Sequence, residues 1–86
     1  MAHLTITCND YLRTPRYSWT FHNDAGGSFS NSGMQPSIRK AARHYAAQHP
    51  SQLNVTVMVI HVEGYDSYDK AFLRIEPATT LRQLIA

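Results

Sequence analysis

The amino-acid sequence predicts an α+β domain: an antiparallel sheet of about four to five strands packed on one central helix, in the order β-β-β-α-β-β with a short C-terminal helix. Three observations carry this expectation. Several short runs alternate apolar and polar residues at the period of a strand. One stretch, PSIRKAARHYAAQH at residues 36–49, repeats its apolar residues at the period of a helix. A third run, LNVTVMVIHVE, is the most β-prone in the chain. Eighty-six residues make one domain spanning residues 1–86, with a small core that removes about 60–65% of the unfolded chain's surface from water. Apolar residues at 43% and charged residues at 16% exclude a disordered chain.

Leu4, Ile6 and Cys8 alternate with His3, Thr5 and Thr7 and predict a first strand over residues 3–9. Asn9, Asp10 and Pro15 then favour a loop that carries Tyr11 and Arg13 outward. Tyr17, Trp19 and Phe21 share one face of a second, aromatic strand over residues 16–22. Asn23-Asp24-Ala25-Gly26-Gly27 is a turn signal, and a short third strand follows from Ser28 to Ser30 or Asn31 with Phe29 toward the core. Residues 31–35 lead into the central helix, expected over about residues 36–48: Pro36 suits its first turn and His49-Pro50 stops it.

On that helix Ile38, Ala41, Ala42, Tyr45 and Ala46 form an apolar stripe, while Arg39, Lys40, Arg43 and His44 point elsewhere. The narrow alanine stripe lets the helix lie close to the aromatic strand and to Val55, Val57 and Val59 of the next strand, expected over residues 53–63. The opposite face of this strand carries Met58, Ile60 and Val62, so it needs a cover from the C-terminal segment or from a partner molecule. A loop, GYDSYD, precedes a last strand with Ala71, Leu73 and Ile75 alternating, ended by Pro77. Thr80 and Gln83 have capping-box spacing, which predicts about two helical turns with Leu81, Leu84 and Ile85 on one side.

Eight Lys and Arg against six Asp and Glu leave a net charge of +2, too small to imply a dedicated polyanion binder from the total alone. The distribution is uneven. Arg13, Arg16, Arg39, Lys40 and Arg43 all lie in the first half, and four of the six acids fall at or after residue 63, so a bipolar molecule is expected. The basic helix face suits phosphate contact; it is equally the ordinary solvated face of a helix. Tyr65, Asp66 and Tyr68 offer rigid aromatic area with polar tips, the chemistry of protein recognition. Partner-binding residues are therefore expected among Arg13, Arg16, Arg39, Lys40, Arg43, Tyr65, Asp66 and Tyr68.

Five histidines invite a metal site, yet His44 and His49 are five apart on different sides of the helix and HExxH spacing is absent. No metal or other cofactor is expected. A single cysteine excludes an internal disulfide, and its alternating context predicts a buried strand thiol. The carboxylates Glu63, Asp66, Asp69 and Glu76 cluster around one hairpin without a nucleophile or base motif, and no GxSxG, P-loop, dinucleotide fingerprint or CxxC occurs, so no enzyme is expected. The opening residues show no charged leader followed by a long apolar run, and no segment approaches the length of a membrane span. A cytoplasmic protein is the expectation, as a monomer or a homodimer.

Arg13-Thr14-Pro15-Arg16-Tyr17, the helix around Ala41-Ala42 and the hairpin ending Glu76-Pro77 give the chain an outline that resembles small phage-borne inhibitors called anti-CRISPR proteins. Some of these have a short strand, a Thr-Pro turn, an aromatic strand, an alanine-rich helix and a closing hairpin. The resemblance covers the outline of the whole chain through few residues, and it transfers no site residue. It implies a non-enzymatic, stoichiometric binder of a CRISPR effector or another protein or ribonucleoprotein complex in a bacterial host cell. The reading from charge alone is a small nucleic-acid-binding module using the basic helix face.

Overall fold

A computed structural model describes residues 2–30 and 35–86. Residues 31–34, part of the expected approach to the helix, lie outside the described residues. The elements are β1 (His3–Asn9), β2 (Tyr17–His22), β3 (Ser28–Ser30), α1 (Ile38–Gln48), β4 (Thr56–Tyr65), β5 (Ala71–Ile75), β6 (Thr79–Thr80) and α2 (Leu81–Ile85). One sheet runs in the order β3-β2-β1-β4-β5, and β6 pairs with the start of β4. The α+β class and the order of the first five strands and both helices are as the sequence predicts, and the two-residue β6 is an addition to it.

The sheet is mixed rather than wholly antiparallel, because its central pair, β1 with β4, is parallel. Direction along the chain explains this. Strands β1, β2 and β3 alternate in direction, α1 takes the next return over one face, and β4 re-enters beside β1 pointing the same way. The pairing places Leu4, Ile6 and Cys8 beside Val57, Val59 and His61 on the face under α1. Tyr17, Trp19 and Phe21 extend the same face through β2.

Helix α1 begins at Ile38, two residues later than Pro36 suggests. Ser37 is the N-cap, with extended backbone and a hydroxyl that accepts from the Lys40 backbone N–H at 3.1 Å, so Pro36 stands before the cap. Ala41, Ala42 and Tyr45 are fully buried against the sheet. With no side chain beyond Cβ, the alanines admit the helix backbone close to β1 and β2, and Tyr45 fills the space they leave. Its ring meets Trp19 edge to face at 4.9 Å and stacks near Phe21 at 6.0 Å. Its hydroxyl donates to the Gln52 side-chain oxygen. His44 does not join the outer basic face: the Trp19 indole N–H donates to its Nδ1 at 3.0 Å. A buried indole needs an acceptor, and the helix supplies it. His49 likewise stacks on Tyr45, with ring centroids 4.5 Å apart.

Strand β4 starts at Thr56 instead of residue 53 because Leu53 and Val55 serve another element. Their carbonyls accept from the backbone N–H groups of Arg82 and Leu81, at 2.9 and 3.1 Å, which satisfies donors that the start of α2 would leave orphaned. The capping box of Thr80 and Gln83 forms as predicted. Leu81 is buried in the same cluster as Ala42 and Val57, with Leu84 and Ile85 against it. Helix α2 therefore packs beside α1 and not over the opposite face of β4, where Met58 and Ile60 are half-buried and Val62 is buried. No helix among the described residues is long and apolar enough to cross a membrane.

Replacing Ala42 with Gln, a larger polar group at a fully buried position, is expected to lower unfolding stability in urea by about 1–3 kcal/mol through overpacking and polar burial. The same change at the exposed Ala47 is expected to stay within about 0.5 kcal/mol. Equal effects at the two sites would contradict the packing described.

Candidate functional site

Because β1 and β4 are parallel, their C-terminal ends emerge at the same end of the sheet, and the loop after each meets the other there. Tyr11 from the first loop lies edge to face against Tyr65 at the end of β4, with ring centroids 5.3 Å apart. A hydrogen bond between the two phenols, then partial burial, holds the Tyr11 hydroxyl above its ordinary pKa. Asn9 and Arg16 close the base of the loop through a 3.1 Å backbone bond. The start of β2 is also tied to the approach of α1, since Tyr17 and Gln35 exchange two backbone bonds of 2.8 and 3.0 Å. The first turn of α1, with exposed Arg39 and Lys40, thus stands at the end of the sheet that carries Arg13 and Arg16.

The eight residues expected at a binding surface divide into two groups. Arg13, Arg16, Arg39, Lys40, Arg43, Tyr65 and Tyr68 are exposed, the last at 83%, and Asp66 is half-buried. Asp66 and Arg43 have internal tasks. Asp66 Oδ1 accepts from the backbone N–H groups of Tyr68 and Lys70 at 2.8 and 2.9 Å, and its own N–H donates to the Lys70 carbonyl. This Asx-type turn, completed by Asp69 at φ 61°, holds the hairpin tip in one shape. The Arg43 guanidinium donates to the Ile85 carbonyl at 3.4 Å, at the end of α2. Tyr17 packs against the core and is not part of the exposed set.

Below this end lies a network that sequence reasoning did not assemble. His61 is 8% exposed and lies between two carboxylates: Nδ1 is 2.8 Å from Asp10 Oδ2 and Nε2 is 2.7 Å from Glu76 Oε2. Both ring nitrogens are thus paired with carboxylate oxygens. Arg74 stands 3.6 Å from Asp10 and 3.8 Å from Glu63. At half exposure these Arg74 pairs contribute little; the buried histidine bridges matter more. The signal for His61 was present in the pattern: it continues the parity of Val57 and Val59 and so faces inward. Its partners, 51 and 15 residues away, were not legible.

The network engages part of the acidic set: Glu63 and Glu76 face Arg74 and His61, Asp66 is held in its turn, and Asp69 is exposed at the hairpin tip. The two carboxylates sit on opposite nitrogens of one ring and do not converge on a common point, and among the described residues no group of three His, Cys, Asp or Glu side chains is placed to hold a metal ion. Cys8, the register partner of His61, is buried, as its alternation predicts. Burial, then the charges of Asp10 and Glu76, push its thiol up to about 12, with Arg74 partly opposing them. Such a thiol is protonated and a poor nucleophile near neutral pH. At the other end of the molecule an open cleft of about 380 Å³ is lined by Phe21, Asp24, Gln52 and Val55 among others.

The chain matches no protein-family model, no curated protein and no solved structure.

Replacing His61 with Ala removes both bridges and leaves Asp10 and Glu76 facing each other across the gap. Stability is expected to fall by about 1.5–3 kcal/mol, and a melt unchanged from wild type would contradict the bridge. For Cys8 the folded thiol is held above its unfolded value of 9.0. Stability from the neutral thiol is therefore fully present below about pH 9 and lost as pH rises toward 12. Native protein should resist iodoacetamide at about pH 8.5 and react once denatured, and Cys8→Ala should flatten the alkaline loss of stability.

Proposed function

We propose that this chain is a non-enzymatic binding protein that docks the shared end of β1 and β4 onto a larger protein or nucleoprotein assembly. The observation that carries the reading is Tyr68, 83% exposed on a hairpin tip whose turn is fixed by Asp66. A large aromatic held outward on a pre-set turn gives contact area at little entropy cost on binding. Tyr65, edge to face with Tyr11, stands at the start of the same hairpin loop, and Arg13 and Arg16 supply charge at the same end. Two further features support a binder over an enzyme. The imidazole of His61 is committed to two carboxylates, and the Cys8 thiol is buried and protonated.

The outline resemblance to anti-CRISPR inhibitors makes a bacterial CRISPR effector the first partner to test. In a binding assay with purified effector complexes, Tyr68→Ala is expected to weaken affinity at least about 30-fold, the loss of a central aromatic anchor. Arg13→Ala and Arg16→Ala should mainly slow association. Failure of the wild-type chain to bind any effector at micromolar concentration would remove this partner class. A second reading is favoured by one observation: Arg39 and Lys40 are exposed on a first helical turn that contains no acidic residue. For a nucleic-acid module, affinity for duplex or single-stranded DNA should fall steeply with salt, and no mobility shift at low salt would exclude it.

A further inference from the structure

Strand β5 ends the sheet, and among the described residues nothing pairs with its outer edge. All five of its residues are exposed, and Phe72, Leu73 and Ile75 are each more than half so. A bare edge this apolar is a template for another strand. We infer that β5 pairs antiparallel with β5 of a second copy, about a two-fold axis at Leu73, to form a homodimer with one sheet running through both chains.

The backbone restricts the registers. The Glu76 N–H donates inward to the Val59 carbonyl at 3.0 Å, so by alternation Arg74 and Phe72 also turn their backbone groups toward β4. Those of Ala71, Leu73 and Ile75 point outward, free for a new ladder. A symmetric pairing that matches outward groups with outward groups can be centred on Phe72, Leu73 or Arg74. Centring on Phe72 sets Lys70 opposite the second copy's Arg74, and centring on Arg74 sets that arginine opposite itself; both confront like charges. Centring on Leu73 sets Lys70 opposite the second copy's Glu76, whose Oε2 also holds His61, and Phe72 opposite its Arg74, an ion pair and a cation–π contact, each made twice. The strand is complementary to itself in this register alone.

The opposite face of β5 favours the same occupant. Leu73 and Ile75 lie on the side of the sheet that α2 leaves uncovered, next to Val62 and Ile60. In the Leu73-centred register, Leu73 meets its own counterpart and Ile75 meets the second copy's Ala71. The apolar strips of the two chains then lie side by side across the axis. This dimer does not depend on the binding role assigned to the tyrosine end.

Sedimentation equilibrium from about 1 to about 100 µM should give a mass rising to twice 9.7 kDa. Leu73→Lys sets two ammonium groups across the axis and should give a folded monomer, its circular dichroism matching wild type because Leu73 is 54% exposed. Leu73→Cys should cross-link to itself under mild oxidation, whereas Ile75→Cys, which faces Ala71 of the second copy, should not. A wild-type chain that stays monomeric throughout, a dimer that survives Leu73→Lys, or an Ile75→Cys chain that links as readily as Leu73→Cys would each overturn the inference.

Discussion

Leu4, Ile6 and Cys8 of β1 lie beside Val57, Val59 and His61 of β4, and the position of every other element follows from this parallel pairing at the centre of the sheet. A parallel neighbour needs a crossover, so α1 must span one face. That face collects the apolar side chains of three strands, and the alanines of α1 let the helix settle close enough for Tyr45 to reach Trp19 and Phe21. The same pairing brings the ends of β1 and β4 together. Asp10, just past β1, thereby comes within hydrogen-bond distance of a histidine 51 residues away.

The His61 network joins three segments that have no other reason to meet: the loop after β1, the interior of β4 and the residue following β5. A buried ionic bridge is weak evidence of net stabilisation, since desolvation offsets much of its attraction. Its effect here is positional. By tying Asp10 and Glu76 to one ring it fixes the base of the loop that carries Tyr11 and the end of the edge strand. The surfaces assigned to partner binding and to self-association therefore flank one rigid element.

Polar groups in this small domain are mostly spent on structure. Asp66 holds a turn, Arg43 reaches the end of α2, His44 accepts from Trp19, and Leu53 and Val55 lend their carbonyls to the second helix. The shared end presents aromatic and cationic side chains beside the exposed Asp69, with Tyr68 the most exposed of the large hydrophobic side chains. At the side of the sheet the outward set is apolar, because α2 packs on the face already covered by α1.

Local pattern was enough to specify the elements. Alternation places the strands, the stripe from Ile38 to Ala46 places α1, and the Thr80 and Gln83 spacing places α2, because these signals depend on neighbours within about one turn or two strand positions. The inward parity of His61 and the burial of Cys8 belong to the same class. Tertiary structure alone decided that β4 returns parallel to β1, that α2 joins α1 on one face of the sheet and leaves the other without a helix, and which acids meet His61. Each of these is a contact between segments far apart in the chain, and hydrophobic periodicity says which face of an element is buried without saying what buries it. The basic and tyrosine residues were visible as composition; the fold determined which of them remain at the surface, since a charge or hydroxyl near a buried polar group is drawn into satisfying it.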